Sequence, residues 1–184
     1  METRWRQRRP FGSNVSLRAG ARQKGAEIYL FTTVTGTFQQ LDGSWIVETP
    51  HRNIHSQWVV NAAGLWGREV AHLAGIDLPL QPTEHQYFVT DKIPDIANMD
   101  RRLPSVADRD GEYYLRQEGQ GLLVGAYERN FRFWAEDKTS LDFGHELFEN
   151  GFERIDKNIL RSIDSVPVIV EASIKCVING PMIW

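Results

Sequence analysis

The sequence predicts a mixed α/β fold in which part of a parallel sheet joins an antiparallel sheet carrying a long helix. Three observations predict it. Residues 55–61, His-Ser-Gln-Trp-Val-Val-Asn, place apolar side chains consecutively instead of alternately, as in a parallel strand buried on both faces. Residues 112–117 and 122–127 are two strand-like runs around Glu118-Gly-Gln-Gly121, which marks a hairpin. Within residues 144–163, Phe148, Phe152, Ile155, Ile159 and Ile163 recur at three- and four-residue spacing and so share one helix face.

The remaining elements follow in order. Residues 15–24 end a helix, with Leu17, Ala21 and Lys24 at helical spacing and Gly25 as the stop. Residues 26–31 are expected to form a strand. Residues 33–38 and 44–49 form two more, with Asp42-Gly43 as the turn between them. After the run 55–61 comes Ala62-Ala63-Gly64. A short helix over 66–74 is closed by Gly75. Residues 78–82 link to a strand at 84–90, and a polar loop covers 91–102. Residues 131–142 are a loop, Pro167 ends the helical region, and a last strand at 172–179 leads into Gly180-Pro181.

Composition bounds the function. The chain has 184 residues, 41% of them apolar and 24% charged, which suits one ordinary globular core. A net charge of −3 gives no basic field for nucleic acid. The single cysteine, Cys176, excludes an intrachain disulfide framework and reads as a small buried hydrophobe. No apolar stretch approaches membrane-helix length. The Arg-rich start, Met1-Glu-Thr-Arg-Trp-Arg-Gln-Arg-Arg9, fits either a mitochondrial targeting segment or an arbitrary start. His51, His55, His72 and His145 lack metal-ligand spacing.

Two segments invite a nucleotide reading. Gly119-Gln-Gly-Leu-Leu-Val-Gly125 is one residue too long for the dinucleotide fingerprint and opens a strand, not a helix, so a hairpin explains it better. The Ala62-Ala63-Gly64 turn is different. Small residues after a buried strand allow close approach to the backbone, and the helix start near Leu65 and Trp66 offers free N–H groups. Taken alone, this pattern fits a ligand or tight strand–helix packing equally.

Trp58-Val-Val-Asn-Ala-Ala-Gly-Leu-Trp-Gly-Arg-Glu-Val-Ala-His-Leu-Ala-Gly75 closely resembles the D-amino-acid-oxidase-like flavoprotein superfamily, in particular its dimethylglycine and sarcosine dehydrogenase type. The likeness runs on through Pro82-Thr-Glu-His-Gln-Tyr87, Glu112-Tyr-Tyr-Leu-Arg-Gln117, Leu122-Leu-Val-Gly-Ala-Tyr-Glu128, Phe143-Gly-His-Glu-Leu-Phe148 and Val177-Ile-Asn-Gly-Pro181. It spans residues 14–181.

The resemblance implies FAD as cofactor and a partial FAD-binding, Rossmann-like sheet beside an antiparallel substrate-binding sheet. It implies domains at 14–81 for FAD, 82–171 for substrate and 172–184 returning to the FAD domain, after an unmatched segment 1–13. It implies Val34 at the adenine, and Ala62, Ala63, Gly64 and Trp66 along the cofactor. Asn179, Gly180 and Pro181 begin a segment returning to the flavin. His85 and Tyr113 are the implied catalytic residues facing the substrate amine. Tyr87 shares the face of His85, being two residues along the strand. Arg116 is a candidate clamp for a substrate carboxylate.

The implied activity is oxidative demethylation of a small N-methylated amino acid, with tetrahydrofolate and an electron-transfer flavoprotein as partners of the longer protein. The implied compartment is the mitochondrial matrix in a eukaryote or the cytoplasm in a bacterium. The family's glycine-rich phosphate loop and its neighbouring flavin-attachment histidine have no counterpart here. Nor has the segment that completes the flavin site or the folate-binding region. The chain is therefore expected to be an internal section, inactive by itself. An inactive binding remnant, or a flavin-dependent hydroxy-acid or glycerol-phosphate oxidase, is the competing reading.

Overall fold

The computed structural model describes residues 10–144 and 146–183, with side chains of the first helix described from residue 14 onward. The Arg-rich start at residues 1–9 and His145 lie outside the described residues. The chain divides into two units, Met1–Val59 and Val60–Trp184.

In the first unit, helix α1 spans Pro10–Gln23. It stops where expected. Gly25 takes φ +87°, and the N–H groups of Lys24, Gly25 and Ala26 return to Ala21 and Arg22 carbonyls, a glycine-based helix stop. Strands β1 (Gly36–Gln39), β2 (Trp45–Glu48) and β3 (Asn53–Ser56) form an antiparallel sheet in that order. The β1–β2 turn is the expected Asp42-Gly43. Gly43 has φ +84°, and the Asp42 carboxylate accepts hydrogen bonds from both the N–H and the hydroxyl of Ser44.

Two expectations fail in this region. Residues 26–31 form no strand, and Phe31 even takes φ +54°. The apolar run 55–61 is not a buried parallel strand: β3 ends at Ser56, and Trp58, Val59 and Val60 are exposed. A strand exists only where a neighbour accepts and donates its backbone hydrogen bonds. Among the described residues no such neighbour flanks residues 26–31 or 57–61.

The second unit opens with a single 3-10 turn, Gly64–Trp66, running into helix α2 (Gly67–His72). Gly75, at φ +72°, closes it. The unit's core is a five-stranded antiparallel sheet of β4 (Pro82–Thr90), β5 (Val106–Asp108), β6 (Tyr113–Glu118), β7 (Gly121–Ala126) and β8 (Ile174–Ile183), in the order β5-β6-β7-β4-β8. The β6–β7 hairpin is the predicted one, turning at Gly119 with φ +60°. A short helix α3 (Pro94–Ala97) interrupts the polar loop read at 91–102, and β5 follows that loop. One sheet face packs a core of Phe88, Tyr113, Leu115, Leu122 and Val124 with Ile93, Ile96 and Ile169.

The long helix expected over 144–163 is only half formed. A 3-10 turn at Phe152–Arg154 precedes helix α4, Asp156–Ser165. Tertiary contacts override the helical period before it. The Gln86 amide clamps the Gly151 backbone in both directions: its Nε2 donates to the Gly151 carbonyl at 2.6 Å, and Gly151 N–H donates to its Oε1 at 3.1 Å. The Phe148 N–H donates to the Asn179 carbonyl at 2.8 Å, and the Phe148 ring joins Trp134 and Phe143. Residues 146–150 thus form no helix, and Phe148 is tied to β8.

β8 itself continues through Gly180-Pro181, past the end at residue 179 expected from sequence. It is an edge strand, and proline is accepted there because an outward-facing N–H has no ladder partner to lose. Cys176 is exposed, contrary to the buried expectation.

Candidate active site

β4 sorts its side chains by alternation. Glu84, Gln86 and Phe88 turn to one face, and His85, Tyr87 and Val89 to the other. Directly opposed residues of an antiparallel pair share a face. Tyr87 faces Gly125, which faces Tyr114 across β6, and His85 faces Gly180. One sheet face therefore carries His85, Tyr87, Tyr114 and, two residues along β6, Arg116.

Tyr113 belongs to the other face. Opposite Ala126, it is only 2% exposed and part of the hydrophobic core. The structure thus separates the expected pair of His85 and Tyr113 and joins His85 to the neighbouring tyrosine. His85 Nε2 lies 3.0 Å from Tyr114 Oη, and the two rings lie near parallel, 12° apart in plane. The sequence held a usable signal. Tyr113 and Leu115 alternate with Tyr114 and Arg116, which groups Tyr114 with the polar side of the strand.

Gly125 permits this arrangement. A Cβ there would stand 2.2 Å from Tyr114 Cζ and 2.3 Å from its hydroxyl. Gly125→Val is expected to push the ring off His85 and to cost about 1–3 kcal/mol by overpacking. A lowered urea midpoint, with loss of the His85–Tyr114 contact by NMR, checks this; an unaltered contact contradicts it.

His85, Tyr114, Tyr127 and Met182 line a concave pocket of about 290 Å³, a size suited to a small metabolite. Tyr127 packs on Tyr114 with centroids 5.4 Å apart, and the Arg109 guanidinium lies 4.9 Å from the Tyr127 ring. A larger cleft of about 560 Å³ lies at the other end of β4, around Thr90–Lys92, the Gly119 turn and Lys175–Cys176. No histidine or tyrosine lines it, whereas the smaller pocket holds His85, Tyr114 and Tyr127.

Burial, and then the Arg154 guanidinium, hold His85 below the ordinary imidazole range. Burial, followed by Tyr87 and Tyr127, pushes the Tyr114 phenol up to about 12. At neutral pH the pair is a neutral imidazole beside a protonated phenol, poised to accept a proton.

Behind the pair lies a buried ionic network that no residue spacing announces. Arg154 donates from Nη1 to Glu84 Oε2 at 2.5 Å and from Nε to Glu128 Oε2 at 3.1 Å. Glu128 Oε1 accepts the Gln86 N–H at 2.9 Å. Asn179 Nδ2 donates to Glu84 Oε2 at 3.1 Å and to the Glu149 carbonyl at 2.6 Å. Burial pushes Glu84 up, but its hydrogen bonds from Arg154 and Asn179 outweigh this, and its net position is low. Glu128 is more deeply buried, at 1% side-chain exposure. There burial dominates and its carboxyl is raised.

The remaining expected positions fall as follows. Arg116 lies on the His85 face and pairs with Glu118 at 3.1 Å. Asn179 is buried and engaged in the ionic network; Gly180 lies opposite His85, and Pro181 lies opposite Glu84. Val34 precedes β1 in the first unit, half-buried. The Ala62-Ala63-Gly64 turn is held by Asn61, whose Nδ2 donates to the Gly67 carbonyl at 2.7 Å and whose Oδ1 accepts the Ala63 N–H at 3.1 Å. Gly64 takes φ +55°, and a Cβ there would meet nothing within 4 Å. Bare backbone beside open space is what a flat dinucleotide requires, so these residues fit the flank of FAD. The Trp66 indole N–H is engaged with the Ser140 carbonyl at 2.8 Å, so only its ring surface is left to meet a flat ligand. Among the described residues no group of acidic, histidine or cysteine side chains is arranged to hold a metal ion, and no helix is long and apolar enough to cross a membrane.

A small pocket on an antiparallel sheet and a small-residue turn with room for a flat ligand suit an FAD-dependent oxidoreductase. The chain belongs to the DAO family, FAD dependent oxidoreductase, whose model matches residues 6–176. It is 40% identical over 180 residues to mitochondrial dimethylglycine dehydrogenase of Mus musculus, a match covering 95% of this chain and 21% of that protein. It is 37% identical over 177 residues to mitochondrial sarcosine dehydrogenase of Homo sapiens, covering 94% of this chain and 19% of that one. Among solved structures, L-proline dehydrogenase from P. horikoshii superposes with a TM-score of 0.66 at 21% identity, covering 94% of this chain and 43% of that one, which shows the shared fold. The chain thus spans about a fifth of the length of the curated relatives it matches.

Proposed function

We propose that this chain forms the substrate side of an FAD-dependent enzyme that oxidatively demethylates a small N-methylated amino acid, dimethylglycine or sarcosine. The observation that carries this reading is the His85–Tyr114 pair, 3.0 Å apart on the wall of a small pocket. The names of the relatives at 40% and 37% identity support the substrate class.

Such an amine reaches the enzyme as an ammonium ion, and its lone pair must be freed before hydride can leave the N-methyl carbon. Tyr114 accepts the ammonium proton on its oxygen as its own proton passes to His85 Nε2. The Tyr127 and Tyr114 rings hold the cationic amine by their π faces beforehand. Arg116 and Arg109 supply positive charge for the substrate carboxylate, and Tyr87 narrows the pocket. Tyr114 takes the role that sequence reading gave Tyr113. Ala62, Ala63, Gly64 and Trp66 flank the cofactor, Val34 meets the adenine, and Gly180-Pro181 leads toward the flavin. Asn179 acts from behind by holding Glu84. Bound FAD supplies the two-electron acceptor. Loss of hydride from the N-methyl carbon gives an iminium that water hydrolyses to formaldehyde and the demethylated amine. In a eukaryote the enzyme works in the mitochondrial matrix, and in a bacterium in the cytoplasm; tetrahydrofolate and an electron-transfer flavoprotein serve as its partners.

Anaerobic mixing of the FAD-loaded protein with dimethylglycine, sarcosine, a 2-hydroxy acid and glycerol phosphate tests this reading. Bleaching of the flavin band with formaldehyde release is expected for the two N-methyl substrates. Bleaching by a hydroxy acid or glycerol phosphate alone would assign the competing oxidase class. A purified protein with no visible flavin spectrum under any loading condition would support the inactive remnant.

A further inference from the structure

The mechanism above uses His85 and Tyr114 but leaves a fully buried carboxylate beside them unexplained. Both oxygens of Glu128 are fixed: Oε1 by the Gln86 N–H at 2.9 Å and Oε2 by Arg154 Nε at 3.1 Å. The same Oε1 stands 3.9 Å from His85 Nδ1. That is ion-pair range, longer than a hydrogen bond. On the other side of the imidazole, Nε2 meets Tyr114 Oη. The ring is therefore bracketed by a carboxylate on one nitrogen and a phenol on the other.

We propose that Glu128 is a positioning residue that keeps His85 in the Nδ1–H tautomer and steadies its protonated form, with Arg154 holding the carboxylate in place. This rests on the reading of His85 and Tyr114 as the proton-accepting pair. With Nδ1–H turned to the carboxylate, the Nε2 lone pair faces Tyr114, whose phenol is the donor. The Tyr114 oxygen then keeps lone pairs for the pocket. One proton arriving from a bound ammonium moves the phenol proton onto Nε2, and the imidazolium so formed lies between Glu128 and the pocket.

Charge balance supports the assignment. Glu84 and Glu128 share the single Arg154 guanidinium. With both carboxylates ionised the cluster carries one excess negative charge, which a proton on His85 neutralises. The groups around His85 are Tyr114 from β6, Tyr127 and Glu128 just after β7, Met182 from β8, Tyr87 from its own strand and Arg154 from the 3-10 turn, with Glu84 on the other face of β4 bound to that Arg154. Of these, the Glu128 carboxylate, 3.9 Å from Nδ1, favours the imidazolium and Arg154 opposes it. The backbone of the Arg154 turn is itself locked to β4 through the Gln86–Gly151 clamp, so the carboxylate and the imidazole keep a fixed separation.

Histidine-labelled protein examined by ¹⁵N NMR across pH, with His85 assigned through His85→Asn, tests the proposal without any substrate. The neutral wild-type imidazole is expected to be protonated on Nδ1. In Glu128→Gln, which keeps the shape and loses the charge, the His85 midpoint is expected to fall by about one pH unit, with loss of the tautomer preference. Glu128→Asp is expected to retain part of the shift. A wild-type His85 protonated on Nε2 overturns the proposal by itself, even if Glu128→Gln fails to fold. An unchanged midpoint and tautomer in a folded Glu128→Gln protein does the same. A His85 substitution that leaves substrate oxidation untouched sinks the catalytic reading instead, and leaves the NMR result to stand separately.

Discussion

Tyr114→Phe is expected to slow reduction of bound flavin by dimethylglycine or sarcosine by about 100-fold or more, the usual scale for removing an acid–base group. Tyr113→Phe is expected to leave that rate nearly unchanged. The contrast follows from the alternation of β6. Tyr114 lies 3.0 Å from His85, whereas Tyr113 is buried on the opposite sheet face. The loss in Tyr114→Phe should fall on the reduction rate more than on apparent substrate affinity, because the aromatic ring remains in the pocket. Stopped-flow flavin bleaching on both variants checks this. Equal loss in the two, or loss in Tyr113→Phe alone, would return the catalytic role to Tyr113.

Arg154→Ala is expected to have the largest effect on stability, about 3–5 kcal/mol, because it strips a buried guanidinium from two carboxylates. The side chains of Arg154, Glu128 and Glu84 are 6%, 1% and 15% exposed, and little water can replace the lost partner. The pH dependence carries a definite sign. Glu84 is held below its ordinary value in the folded protein. Its pairing therefore stabilises the wild type above the ordinary carboxylate range, and the contribution is lost as pH falls through the lowered value. Without Arg154 both carboxyls are raised in the folded state, and protonation relieves them. The gap between variant and wild type should be widest near neutrality and narrow in acid. Urea unfolding at neutral and acidic pH measures it. A gap that stays constant or grows in acid would mean that the network does not carry the charge assigned to it.

The parts of this fold that local chemistry dictates were legible from sequence. The Asp42-Gly43 and Gly119 turns, the Gly25 and Gly75 helix stops and the β6–β7 hairpin all rest on residues that choose their own backbone conformation. The long helix over 144–163 was not legible. Its apolar spacing is helical, but Gly151 is held by Gln86 from a strand 65 residues away, and no local pattern reports a tertiary clamp. The strands expected at 26–31 and 55–61 have the right composition, yet a strand also needs a neighbour, which composition does not specify.

The site shows the same division. His85 and Tyr87 on one face follow directly from strand alternation. The choice between Tyr113 and Tyr114 was available from the same rule, through the polar partner Arg116 and the apolar partner Leu115, but family likeness alone does not resolve adjacent tyrosines. Glu128 and Arg154 are separated by 26 residues and by a change of element. Only the folded chain brings them behind His85.

In the proposed mechanism His85, neutral at rest, receives the substrate's amine proton through Tyr114. The pH dependence of flavin reduction by dimethylglycine, measured anaerobically in wild type and His85→Ala, tests it most directly. The wild type is expected to lose rate on the acid side as His85 becomes protonated, with a midpoint below the ordinary imidazole range because burial and Arg154 hold it low. In His85→Ala that acid limb should vanish and the plateau rate should drop. Superimposable pH profiles for the two proteins would remove His85 from the proton path.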